Sequence, residues 1–209
     1  MTTWLITGCS TGLGRALAEA VLARGDNAVV TARDAAKVED LADGHPATAL
    51  ALSLDVTDPA QVSAAAERAV DRFGGVDVLV NNAGYGYLAA VEEGDDADVQ
   101  ELFATNFFGA VAMIKAVLPG MRARRSGAIV NISSIGARIC PPGSGYYSAS
   151  KAALEGMSGS LRKELQPLGI YVTAVEPGYF RTDFLDAKSL AVSPRTIADY
   201  SETSGAMRT

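Results

Sequence analysis

Two residue rhythms alternate along the chain. Short apolar runs, rich in β-branched residues, fall at Thr3–Thr7, Asn27–Ala32, Ala49–Leu54, Val76–Val80, Ala128–Ile132 and Ile170–Val175. Between them apolar residues recur at helical spacing. Leu13, Leu17, Ala20 and Val21 share one face; so do Val99, Leu102, Phe103, Asn106, Phe107, Ala110 and Ile114; so do Tyr147, Lys151, Leu154, Leu161 and Leu165. A helix returns to one face every three to four residues and a strand every two, so the pattern predicts strands separated by helices. Strands joined through helices pair in parallel, as βαβ units. The strand centres, such as Ala28-Val29-Val30 and Val78-Leu79-Val80, do not alternate with polar residues, which fits a sheet covered on both faces.

Punctuation sets the phase. Thr57-Asp58-Pro59 reads as a helix cap with proline in the first turn. Gly25, Gly74-Gly75 and Pro167 with Gly169 read as helix ends. There is no repeat, and no linker-like segment before about residue 185. After Val175 the pattern changes to a turn-rich Glu-Pro-Gly-Tyr-Phe loop, then one helical stretch near Pro194–Tyr200, with no seventh strand.

A chain of 209 residues with 48% hydrophobic and 20% charged positions is long enough for one domain spanning 1–209 with a sizeable core. A balance of 18 basic against 24 acidic residues argues against a nucleic-acid partner, which needs a basic footprint. The longest apolar run, Phe107 to Ile114, stops at Lys115, so no membrane span is expected. The N-terminus has no signal-peptide pattern, giving a cytoplasmic expectation. Cys9 and Cys140 fit neither a disulfide framework nor a metal pair, and His45 is the only histidine, so no metal site is expected.

The opening segment runs strand, glycine loop, helix, with Gly8, Gly12 and Gly14 flanking Ser10, Thr11 and Leu13. Its spacing is not GxGxxG, but the physics is shared: small residues let backbone N–H groups and a helix N-terminus approach a pyrophosphate. The same stretch contains a rival. Gly8-Cys9-Ser10-Thr11-Gly12 matches GxSxG, which would make Ser10 a hydrolase nucleophile. That reading needs a histidine late in the chain, and His45 stands before most of the sheet.

Beyond the loop the chain carries Asn81-Asn82-Ala83-Gly84 after the fourth strand, Asn106 on the fourth helix, and Ser134 thirteen residues before Tyr147-Ser-Ala-Ser-Lys151. Pro177-Gly178 and Thr182 follow the sixth strand. In this order, with the loop at 7–14, they resemble the classical short-chain dehydrogenase/reductase family across residues 3–185. The opening and Thr31-Ala-Arg-Asp34 look closest to members resembling 17β-hydroxysteroid dehydrogenases and carbonyl reductases. The resemblance implies an α/β, Rossmann-type doubly wound parallel sheet, here of strand order 3-2-1-4-5-6 because the family's seventh strand is missing from the pattern. It also implies a dinucleotide held by Gly8, Ser10, Thr11, Gly12, Leu13, Gly14, Asp55, Val56, Asn82, Ala83, Gly84, Lys151, Pro177, Gly178 and Thr182. The stretch 179–209 would begin the family's substrate lid. With the loops near 85–96 and 135–146 it would shape the substrate pocket.

The chemistry that these residues allow is oxidoreduction of a ketone or aldehyde and its alcohol. Tyr147 and Lys151 stand one helical turn apart. A free tyrosine, with pKa about 10, is a poor base at neutral pH, and a nearby ammonium would lower it. Ser134 can hydrogen-bond the substrate oxygen as charge develops. By resemblance, Lys151 also holds the nicotinamide ribose, and Asn106 kinks its helix and anchors a water. Each has a plainer reading, as solvated lysine, core aromatic or buried amide; Tyr146 rivals Tyr147, and Ser133 rivals Ser134.

The second strand ends Ala32-Arg33-Asp34. Counting alone allows Asp34 to hold the 2′-hydroxyl of NAD. The family pattern places Ala32 at the discriminating position and Arg33 beside it, where a guanidinium pairs with the 2′-phosphate of NADP. NADP(H) is favoured, with NAD(H) as the alternative; Thr11 stands where many NADP-preferring members carry a second basic residue. Asp55 reads equally as an adenine contact and as part of the Thr57-Asp58 turn. A homodimer or homotetramer through helices near 97–118 and 146–166 is the family's habit. The rival class is a dinucleotide-binding protein without catalysis.

Overall fold

The computed structural model describes residues 1–178 and 189–208. Its main sheet holds β1 (Thr3–Ile6), β2 (Asn27–Ala32), β3 (Ala49–Ser53), β4 (Val78–Asn81), β6 (Gly127–Ile132) and β7 (Ile170–Val175) in the order β3-β2-β1-β4-β6-β7. All of these pairs are parallel. Neighbouring strand residues face opposite ways. Leu5, Val29, Leu79 and Ile129 point to one core, and Ile6, Val30 and Val80 to the other. That division is why the strands read as unbroken apolar runs.

Helices cover both faces. α1 (Gly12–Ala23) and α2 (Glu39–Gly44) supply Ala18, Val21, Leu22 and Leu41 to the second core. α3 (Pro59–Phe73), α5 (Ala110–Arg124) and α7 (Gly145–Leu165) supply Val62, Met113, Val117, Met121 and Leu165 to the first. The caps are those the sequence predicts. Asp58 accepts from Ala60 N and Gln61 N ahead of Pro59, and Gly74 closes α3 at φ 83°. Order reverses beside β1, whose neighbours are β2 and β4, and there a crevice opens at the strands' C-terminal ends.

Three expectations need correction. A strand does follow Val175: β8 (Leu190–Val192) pairs in parallel with β5 (Gly86–Leu88) in a separate two-stranded sheet. Main-sheet positions expected as 3-2-1-4-5-6 therefore carry the labels 3-2-1-4-6-7. Three-residue strands a hundred positions apart leave no periodicity to read. The stretch near Pro194–Tyr200 holds only a short 3-10 turn, Ala198–Tyr200. The helix expected to stop near residue 118 continues through Pro119 to Arg124, with Val117 and Met121 buried in the core on either side of the proline.

The same helix starts at α4 (Asp96–Phe103) and passes through a π-turn, Ala104–Gly109, before α5. By length and composition 96–124 could cross a membrane. Leu102, Met113, Ile114, Val117 and Met121 are buried against protein, as in a core helix.

Candidate active site

The crevice is a cavity of about 1100 Å³. Its floor is the β1–α1 loop. Gly8 and Gly12 adopt φ of 71° and 59°, which side chains resist. Thr11, the N-cap of α1, makes no side-chain cap bond, so the first-turn amides stay open toward the cavity that Ser10, Thr11, Gly12 and Leu13 line. Gly14 does not line it. A Cβ there would lie 2.3 Å from Gly8 O and 2.4 Å from Asn82 Nδ2, so this glycine allows the close approach of α1 to the loop and to the Asn82 amide.

Asn82 lines the cavity, yet its amide is committed to protein: Nδ2 donates to Thr7 O and Gly8 O, each at 2.9 Å. Thr7 Oγ1 in turn accepts from Asn82 N and Ala83 N. Thr7 thus ties the glycine loop to the Asn82–Gly84 loop. Cys9 is buried, and burial pushes its thiol up to about 12. His45 lies exposed after α2 and does not line the cavity on which Ser10 opens.

At the far end stand Arg33, Lys37, Asp55 and Val56. Asp34 is turned away: its carboxylate accepts from Ala36 N and caps the 3-10 turn Ala35–Lys37. That turn carries Lys37 round to the cavity beside Arg33, a second cation that the β2 motif alone does not disclose. Arg15 is paired with Glu19 and Asp40 outside the cavity. Asp55 lines the cavity, and its carboxylate accepts from Thr57 N and Thr57 Oγ1, the turn expected there.

The inner end brings Ser134, Tyr147 and Lys151 together with Gly84, Ala83, Pro177 and Gly178. Tyr147 and Ser134 are hydrogen-bonded, and Ser134 Oγ also accepts from Gly136 N. Tyr146 is elsewhere, donating to Val91 O and packing near the Tyr87 ring. The Ser133 hydroxyl donates to Glu155. The ammonium of Lys151, 5.9 Å from the Tyr147 ring centroid, donates to Ile132 O at 2.8 Å. Burial lowers its pKa to about 8. One electrostatic expectation is reversed: burial raises the Tyr147 pKa, and the Ser134 bond opposes this.

Asn106 does not line the cavity. It sits buried in the π-turn, accepts from Tyr85 N, and donates to Tyr85 O and Ser150 Oγ. It is near the site all the same. A Cβ on Gly84 would lie 3.0 Å from Asn106 Oδ1 and 3.3 Å from Lys151 Nζ. Thr182 and the 179–188 part of the expected lid lie outside the described residues. The remaining wall is mostly apolar, with Leu88, Ile135, Ile139, Leu190 and Met207, while Asp98 and Glu101 add acidic groups.

These residues fit a dinucleotide: helix amides open to the cavity, a loop in which Gly8 and Gly12 hold positive φ, and Arg33 and Lys37 at one end with Lys151 at the other. A family model described as short chain dehydrogenase matches residues 2–192. The oxidoreductase BOA17 of Botryotinia fuckeliana is 41% identical over 204 residues, covering 97% of this chain and 74% of its own. A solved short-chain dehydrogenase from Streptomyces avermitilis superposes with a TM-score of 0.93 at 43% identity, over 100% of this chain and 78% of that one. Another from Burkholderia phymatum, in complex with NAD, gives 0.84 at 30% identity, over 90% and 69%. With its loop, its crevice and the Ser134–Tyr147–Lys151 cluster in place, the chain belongs to the short-chain dehydrogenase/reductase family of oxidoreductases.

Proposed function

We propose that this protein interconverts a ketone or aldehyde and its alcohol with NADP(H). The observation that carries the reading is the meeting of Ser134, Tyr147 and Lys151 at the inner end of a cavity whose other end presents Arg33 and Lys37. Bound NADPH would supply the hydride for the carbonyl carbon. Tyr147 Oη gives its proton to the carbonyl oxygen and recovers one from solvent. The raised Tyr147 pKa keeps that proton in place at neutral pH, which suits reduction. Ser134 Oγ, already within reach of Tyr147, donates to the same oxygen as negative charge builds on it. Lys151 is held on Ile132 O, where its charge faces the cavity and the ribose hydroxyls would lie.

The cofactor preference rests on charge. Asp34 is turned to Ala36 N and does not line the cavity, whereas Arg33 and Lys37 do, and either cation could pair with a 2′-phosphate. The apolar Ile135, Ile139, Leu190 and Met207 favour a substrate with a sizeable hydrocarbon body. A homo-oligomer through the long helix is supported by Phe108, 60% exposed and edge-on to Phe107.

The test is Tyr147→Phe assayed on methyl alkyl ketones by NADPH absorbance. Turnover is expected to fall about 10²–10⁴-fold, the usual worth of a positioned acid, with NADPH affinity unchanged. Equal turnover would overturn the mechanism. Wild-type binding without turnover of any ketone or alcohol would favour the non-catalytic reading.

A further inference from the structure

One wall of the cavity comes from the segment 189–208, which contributes Ser189, Leu190, Ala191 and Met207. Little apolar contact holds it. Val192 and Met207 are 47% and 43% exposed, and β8 is only three residues long. Besides the β5–β8 pairing and a bond from Tyr200 Oη to Glu92, several of its polar attachments converge on one residue, Glu93. The carboxylate of Glu93 accepts from Ile197 N at 2.7 Å and Ala90 N at 3.0 Å, and pairs with Arg208. Its backbone carbonyl accepts from Ser193 Oγ at 2.6 Å. The side chain is 2% exposed in that pair and Arg208 11%, so the ion pair is shielded from solvent. A buried carboxylate would be costly without these partners; removing the charge leaves Arg208 uncompensated, and removing the side chain strands Ile197 N as well.

We propose that Glu93 is a positioning residue for substrate: it fastens segment 189–208 to the 86–93 loop and so fixes the wall that this segment gives the cavity. The anchorage joins both ends of the β5–β8 ribbon. Gly86 N donates to Ser189 O at the entry, Ser193 N donates to Leu88 O at the exit, and Glu93 takes over where the ribbon stops. None of these contacts reaches the β1–α1 loop or Arg33, so Glu93 acts on the substrate side and leaves the dinucleotide side alone. This inference rests on the proposed carbonyl chemistry only for its kinetic consequence; the anchorage itself does not.

The test uses the full chain with Glu93→Gln, which keeps an acceptor without the charge, and Glu93→Ala. Hydrogen exchange read by mass spectrometry is expected to speed up about tenfold or more across Ser193–Ile197 in Glu93→Ala, less in Glu93→Gln, with β4 and β6 unchanged. NADPH affinity is expected to stay at the wild-type value. With methyl nonyl ketone as probe, KM is expected to rise about tenfold while kcat holds, because the wall has moved and Tyr147 has not. Unchanged exchange in both variants would overturn the proposal. So would a matching loss of NADPH affinity, which would make Glu93 a support of the whole fold. Faster exchange in the variants, with no turnover in any form including wild type, would count against the carbonyl chemistry and leave the anchorage standing.

Discussion

Replacing Gly14 by alanine tests how the glycine loop is built. Gly14 lies in the first turn of α1, where alanine normally helps a helix by about 1 kcal/mol. Here its methyl would sit 2.3 Å from Gly8 O and 2.4 Å from Asn82 Nδ2. A comfortable heavy-atom contact is about 3.5 Å, so the overlap is about 1 Å on each. Neither neighbour has room to yield. Gly8 is main chain held at φ 71°, and Asn82 is tied by two 2.9 Å bonds to Thr7 O and Gly8 O. Overpacking costs about 1–3 kcal/mol, and giving up the two Asn82 bonds about 1 kcal/mol each. Set against the helix gain, Gly14→Ala is expected to lose about 2–4 kcal/mol. Urea unfolding followed by Trp4, the single tryptophan, reads this directly. Gly156→Ala and Gly159→Ala are the controls. Both positions are exposed on α7 with nothing within 4 Å of a new Cβ, so each is expected to gain about 0.5–1 kcal/mol. A Gly14→Ala protein as stable as wild type, or more so, would refute the packing reading.

Lys151→Met bears on electrostatics. The folded pKa of Lys151, about 8, lies below its ordinary 10.5, so the unfolded chain binds the extra proton between those values and stability rises with pH there. The rise is of the order of 3 kcal/mol, and it is expected to vanish from the unfolding profile of Lys151→Met. Asn106→Ala strands the Tyr85 amide and carbonyl, and a loss of about 1–3 kcal/mol per stranded group is expected in urea unfolding. Arg33→Ala is expected to weaken NADPH about 10–100-fold in a fluorescence titration and leave NADH alone, with Lys37→Ala acting in the same sense.

Much of this was legible in the sequence because it depends on local patterns. The strand runs, the Asp58-Pro59 cap and the glycines after α1 and α3 state the βαβ order, and Ser134, Tyr147 and Lys151 reach one point because strand ends and a helix face carry them there. What was not legible depends on distant partners. The β5–β8 ribbon joins Tyr87 to Ala191, with no periodicity in three residues. Lys37 reaches the cavity only through a 3-10 turn whose cap, Asp34, looked like a rival ligand. Gly14 looked like a ligand-binding glycine, and its real neighbour is Asn82, far along the chain. The pKa of Tyr147 depends on burial, which spacing to Lys151 does not report.

The most direct measurement is a pair of fluorescence titrations of the 209-residue chain, with NADPH and with NADH. NADPH is expected to bind at least about tenfold more tightly, a difference of about 1.4 kcal/mol, and Arg33→Ala to erase the gap. Equal affinities in the wild type would contradict the assignment of Arg33 and Lys37 to a 2′-phosphate. Failure to bind either would contradict the dinucleotide site itself.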